Sequence, residues 1–195
     1  MKNTKRSHDQ LAALVEGALM VALAVVLDLI PLPHWPQGGS ISLTMIPIAY
    51  YSLRRGWRWG ALAGLVNAAV QLVSGWDPPP ANTLAAFVGC ILLDYIVAYA
   101  VIGLAELFAK PFVKHRLVGY SLGTLAVCLV RFVCTFLSGV LIWDAYAPEG
   151  ISLWWYSLTY NGSYLIPNII LTTVAVTLIS IALDPKTLRP MKKDH

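Results

Sequence analysis

The sequence predicts an all-α integral membrane protein, a bundle of six transmembrane helices in one domain. Three observations carry this. Apolar runs long enough to cross a bilayer recur along the whole chain. Charged residues make up 12% of it, against about a quarter in soluble domains. The basic residues cluster between the apolar runs. With 57% hydrophobic residues the bilayer has to be the solvent, and in hydrocarbon every backbone N–H and C=O must be satisfied internally, which leaves helices or a closed barrel. A barrel needs alternating segments of about 10 residues. The stretch 11–30 is almost continuously apolar, so helices are expected.

The apolar runs place helices at about 11–30, 41–53, 57–74, 82–108, 117–143 and 156–183. Residues 1–10 are polar and basic, so the first run reads as a retained span and not as a cleaved signal peptide. The second run is short and contains Pro47, which predicts a kink or a partial crossing. The fourth is long enough to tilt, with Gly89 and Gly103 as sites of close helix packing.

Six helices put 13 of the 14 Lys and Arg residues on one side: Lys2, Lys5 and Arg6; Arg54, Arg55 and Arg58; Lys110, Lys114 and Arg116; Lys186, Arg189, Lys192 and Lys193. The opposite loops, 31–40, 75–81 and 144–155, hold no Lys or Arg and carry Asp77, Asp144 and Glu149. Positive residues stay on the cytoplasmic side of a membrane, so both termini are expected in the cytoplasm. The same placement removes the reason to read the net charge of +4 as a nucleic-acid surface. The outer loops and helix mouths are rich in Trp35, Trp76, Trp143, Tyr146, Trp154, Trp155 and Tyr156. Such residues form either an aromatic belt at the headgroups or the walls of an outer ligand pocket.

The fourteenth basic residue, Arg131, lies in the middle of the fifth helix, with Asp94 at similar depth in the fourth. Charge at that depth costs roughly 3 kcal/mol per residue, so both should face the bundle interior. They either pair with each other or line a polar site. Arg131, Thr135, Gly139 and Trp143 are spaced by four and form a stripe from mid-membrane to the outer mouth. Gly139 leaves room there for a ligand ring, or else Thr135, Ser138 and Gly139 form a small-residue packing seam. The sixth helix opens with Tyr156, Tyr160, Asn161 and Tyr164; the sequon at Asn161 falls inside a span and is discounted.

Catalysis, a metal site and a resident cofactor are not expected. Cys90, Cys128 and Cys134 lie in apolar runs without a C-x-x-C pair, and neither an H-E-x-x-H, a G-x-S-x-G nor a P-loop occurs. Active transport would therefore draw on an ion gradient or on a separate ATPase.

Several short motifs, in order along almost the whole chain, resemble the thiamine-binding S components of energy-coupling factor (ECF) transporters, the ThiT-like proteins. They are Ile46-Pro47-Ile48, Ser52-Leu53-Arg54-Arg55-Gly56, Leu93-Asp94-Tyr95, Gly139 with Trp143, and Tyr156-Ser157-Leu158 with Asn161-Gly162. Ala18-x-x-x-Ala22 is similar to the small-residue motif by which such components dock on a transmembrane coupling subunit. The resemblance implies a six-helix S-component bundle in a bacterial plasma membrane, which captures thiamine at the outer face and is served by a coupling subunit and two ATPases. It implies that Asp94 holds the aminopyrimidine beside Tyr95, that Trp143 stacks on a ring, and that Tyr156 and Asn161 make polar contacts. Three positions depart from the family pattern: Asp94 stands where the family has Glu, Thr135 where it has a site His, and a first-loop Trp aligns near Gly38, with Trp35 as a substitute. These departures leave a thiamine precursor or related heterocycle as a second ligand. The second mechanism is a self-sufficient proton-coupled transporter in which Asp94 carries the proton.

Topology is directly testable. Reporter tags fused to either end should both read out in the cytoplasm, and an external readout for one of them would overturn the six-helix orientation.

Overall fold

The computed structural model describes the backbone of residues 2–191 and the side chains of residues 7–191. Lys192 and Lys193, and the side chains of Lys2, Lys5 and Arg6, lie outside the described residues. Every regular element described is helical, and the β-geometry is limited to an isolated bridge between His34 and Ser40.

Helix α1, Lys2–Asp28, begins well before the apolar run at 11, because its charged first turns continue the helix out of the hydrocarbon. Helix α2, Met45–Arg55, has 11 residues and rises only about 16 Å. That is about half the hydrocarbon thickness. Pro47 occupies its first turn, where the missing N–H has no intrahelical partner anyway, so the expected kink is absent. Gly56, at φ 97°, turns the chain in one residue from α2 into α3, Trp57–Ser74.

The fourth predicted helix is broken. Thr83 caps α4, Leu84–Cys90, accepting from the Ala86 N–H at 3.3 Å. A π-helical segment, Ile91–Val97, follows, and then α5, Ala98–Ile102. Gly103 and Leu104 interrupt the rod before the short α6, Ala105–Ala109. The Ser52 hydroxyl fills the break, donating to the Gly103 carbonyl at 2.5 Å and accepting from the Glu106 N–H at 3.2 Å. Helices α7, Arg116–Leu141, and α8, Leu153–Ala182, complete the bundle. Four helical stretches have the length and apolarity to cross a membrane: Ser7–Asp28, Leu84–Ile102, Arg116–Leu141 and Leu153–Ala182. The all-α membrane class holds, and of the six expected helices four have the length and apolarity of full spans; α2 is short, as its run in the sequence suggested, and α3 carries Arg58, Asn67 and Gln71.

Two features hold the interior together. Between α3 and α5 the backbones touch: a side chain at Gly60 would collide with the Gly103 carbonyl, and one at Gly103 with the Gly60 backbone. Close approach of this kind replaces the hydrophobic drive that is missing between helices in lipid. At the end of the bundle where the basic residues gather, Arg54 and Arg55 both grip Glu16 of α1 through paired contacts of 2.6–2.8 Å. Nearby, Asp184 accepts from Arg116 at 2.6 Å and from the Tyr120 hydroxyl at 3.2 Å, while Tyr50 and Arg54 donate to the Leu183 and Pro185 carbonyls. These bonds tie α1, α2, α7 and the segment after α8 into one base.

The glycine contact yields a paired test. Gly60→Leu should abolish the folded, detergent-stable protein, whereas Gly75→Ala, at a site with nothing within 4 Å, should leave yield and thermal stability unchanged. Equal tolerance of both substitutions, read as monodisperse yield on size exclusion, would remove the α3–α5 contact from the fold's essentials.

Candidate functional site

At the end opposite the base lies a cavity of about 550 Å³, within the range of small-molecule sites. The end of α1, the start of α2, the end of α3, the π-helical segment, the upper turns of α7 and the first turns of α8 all contribute to its wall. Trp35, Asp94, Tyr95, Thr135, Gly139, Trp143, Tyr156 and Asn161, the positions singled out in the sequence, all line it.

The π-helical segment places Asp94. Its i to i+5 pairing brings residues five apart onto one face, so Asp94 and Tyr99 both face the cavity. One carboxylate oxygen of Asp94 accepts from the Ser138 hydroxyl at 2.6 Å and from the Trp143 indole N–H at 3.2 Å. Both donors come from the α7 side, and the other oxygen has no N–H or O–H donor among the described residues. The shorter acid is thus held against α7 by a serine and an indole. It makes no ion pair with Arg131: no Lys, Arg or His nitrogen lies within 4.0 Å of it among the described residues. Arg131 instead lays its guanidinium over the Tyr99 ring, 4.2 Å from the centroid, with its Nε unpartnered.

The other site residues are held as firmly. The Tyr95 hydroxyl is taken by the backbone of the loop beyond α3, accepting from the Asp77 N–H at 3.1 Å and donating to the Gly75 carbonyl at 3.4 Å, so its ring faces inward, stacked on Trp76. The Thr135 hydroxyl donates back to the carbonyls of Phe132 and Arg131, at 3.1 and 3.3 Å, leaving only its lone pairs to a ligand. Asn161 donates to Ser157 and accepts from the Tyr164 hydroxyl at 2.6 Å. Gly139 departs from the ring-space reading. A side chain there would collide with the Ser157 hydroxyl and the Asn161 amide, so its lack of one lets α8 close on α7. Trp143 stacks on Tyr146, and Tyr156 tilts against Tyr160.

A roof closes over this floor. The loop after α1 is fastened to α8: Tyr160 donates to the Gly38 carbonyl at 2.9 Å and accepts from the Gln37 N–H at 3.0 Å. Asn168 accepts from the Ser42 N–H and donates to the Ser40 carbonyl, each at 2.8 Å. Trp35 of this loop packs on Tyr164, ring centroids 5.7 Å apart. Sequence reasoning missed Asp28, Ser42, Gln71, Tyr99 and Asn168 as lining residues. Tyr99 was findable as an aromatic four residues beyond Tyr95, and Asp28 as an acid closing an apolar run.

The cavity therefore offers aromatic faces, a half-free carboxylate and amide and phenol groups. Its formally charged lining, Asp28, Asp77 and Asp94 against Arg131, is net negative by two. Such a lining suits a flat, cationic organic molecule with hydrogen-bonding edges. No group of three or more His, Cys, Asp or Glu able to hold a metal occurs among the described residues.

Ala18 and Ala22 lie elsewhere. They are exposed on α1, on a face that no other described helix covers.

Comparison with known proteins agrees with this picture. The family model described as "Thiamine transporter protein" matches residues 14–188. The curated thiamine transporter ThiT of Bacillus subtilis is 37% identical, the match covering 87% of this chain and 91% of that protein. The ThiT of Lacticaseibacillus paracasei is 30% identical, covering 91% of each. A solved structure of ThiT from Listeria monocytogenes superposes with a TM-score of 0.68, covering 88% of this chain and 94% of the other at 24% identity, and so shares the fold.

Proposed function

The chain belongs to the thiamine transporter protein family, a family of multi-pass membrane transporters and not of enzymes, and on that premise we propose that it is the substrate-binding subunit of an ECF-type importer, taking thiamine into its cavity from outside the cell. The observation that carries the proposal is the convergence of Asp94, Trp143, Tyr156 and Asn161 on one negatively charged, aromatic cavity. Thiamine is a flat aminopyrimidine joined to a permanently cationic thiazolium. The free oxygen of Asp94 accepts from the amino group, Trp143 supplies a ring face, and the Tyr156 phenol and Asn161 amide meet the remaining pyrimidine edge. In a low-dielectric cavity each of these contacts is worth more than at a wet surface. The basic residues gathered at the far end support a plasma-membrane orientation with that end, and both termini, in the cytoplasm.

Import needs an energy source, and no P-loop occurs in the sequence. A separate coupling subunit with two ATPases supplies it in this proposal, docking on the uncovered Ala18–Ala22 face of α1.

Two experiments test this. Titration of the purified protein with thiamine should change the fluorescence of its seven tryptophans saturably. Trp143→Ala should lose about 1–3 kcal/mol of binding, roughly tenfold or more in affinity. Asp94→Asn should lose about 1.5–3 kcal/mol, the worth of a charge-assisted hydrogen bond. Unchanged affinity in both well-folded variants would sink the site assignment. Replacing Ala18 and Ala22 by Leu should block assembly with the coupling subunit and uptake while sparing thiamine binding. Intact assembly would move the docking face elsewhere.

A further inference from the structure

Besides Asp94 the cavity is lined by two more carboxylates, Asp77 and Asp28, and of these Asp28 is the one held by side chains of other elements. Asp28 ends α1, and its two oxygens each accept one neutral hydrogen bond: Oδ1 from the Ser42 hydroxyl and Oδ2 from the Gln71 amide, both at 2.9 Å. It thereby joins α1, the roof loop and α3, whereas Asp94 is joined to α7 through Ser138 and Trp143. Asp28 lines the cavity and, like Asp94 and Asp77, has no Lys, Arg or His nitrogen within 4.0 Å among the described residues.

An anion at the C-terminal end of a helix is disfavoured by the helix dipole, and a carboxylate beside hydrocarbon is costly without a counter-charge. Two neutral donors fix the orientation of Asp28 but leave its charge unbalanced. The other charged side of the cavity offers no relief, since Arg131 is engaged over Tyr99. A bound cation would supply the missing charge, and a ligand with a hydrogen-bonding ring at one end and a permanent cation at the other matches two cavity carboxylates held by different elements.

We infer that Asp28 is a specificity-determining residue, the counter-charge for the cationic ring of the ligand, while Asp94 serves the hydrogen-bonding ring. The inference rests on the thiamine reading and deepens it. Asp28 takes over the attraction that an aromatic stacked on the thiazolium would give, and it does so for charge alone. Selection at this wall is between cationic and neutral rings of one shape.

The test compares two ligands on the purified full-length protein: thiamine, and the neutral isostere in which carbon replaces the thiazolium nitrogen. Asp28→Asn retains the Ser42 contact and, after an amide flip of Gln71, the second one, so it removes charge with little change of shape. It should weaken thiamine binding by roughly tenfold, the size of a single partly desolvated charge contact, and change binding of the neutral isostere by less than about twofold. Asp28→Glu should keep the preference for the cation. Asp94→Asn should weaken both ligands alike, since they share the pyrimidine. Equal losses for both ligands in Asp28→Asn would make the residue a structural tie, and no loss for either would place the cation elsewhere; each overturns the inference and leaves the thiamine reading standing. A wild-type protein that binds neither ligand overturns both.

Discussion

The contact on which the arrangement depends is the meeting of the Gly60 and Gly103 backbones. Lipid gives helices no hydrophobic reason to associate, so close packing and satisfied polar groups must do it. Contact without side chains brings α3 against the rod that carries Asp94, Tyr95 and Tyr99, and it fixes where Gln71, farther along α3, and Trp76, in the loop just beyond it, meet the cavity. The same glycine ends α5, and the Ser52 hydroxyl covers the freed backbone groups. One close approach thus sets the depth of the Asp94 wall relative to the Asp28 wall.

From there the site is a problem in satisfying polar atoms. Each polar group in the floor is anchored by a neighbour and retains part of its capacity: one oxygen of Asp94, the lone pairs of Thr135, the hydroxyl of Tyr156. Groups held in this way lose little side-chain entropy when a ligand arrives, which favours affinity. The roof follows the same logic, with Tyr160 and Asn168 pairing loop backbone groups over the cavity that would otherwise be left unpaired.

Much of this was legible in the sequence. Hydropathy located the bundle, and the ends of 57–74 coincide with α3. Asp94 and Arg131 stood out because charge in an apolar run has to be placed inside. What escaped was whatever depends on contacts between distant segments. The break at Gly103 is read only once Gly60 is opposite it. The π-helical segment looks like any apolar helix, since its residues are ordinary ones. Asp28 drew no reading from the sequence, because its partner Gln71 lies 43 residues later. Gly139 was expected either to leave room for a ligand ring or to join a small-residue packing seam, and which of these applies is read only from α8, which closes on it through Ser157 and Asn161.

The tied base has a consequence for permeation. Glu16 with its two arginines, and Asp184 with Arg116 and Tyr120, lock together the end of the bundle remote from the cavity. Between base and cavity lies a tightly buried core of Tyr51, Leu53, Ile102, Val127 and Val176. A molecule in the cavity therefore occupies a receptacle and not a pore. It cannot continue through the bundle along the membrane normal without dismantling both the ion pairs and the core.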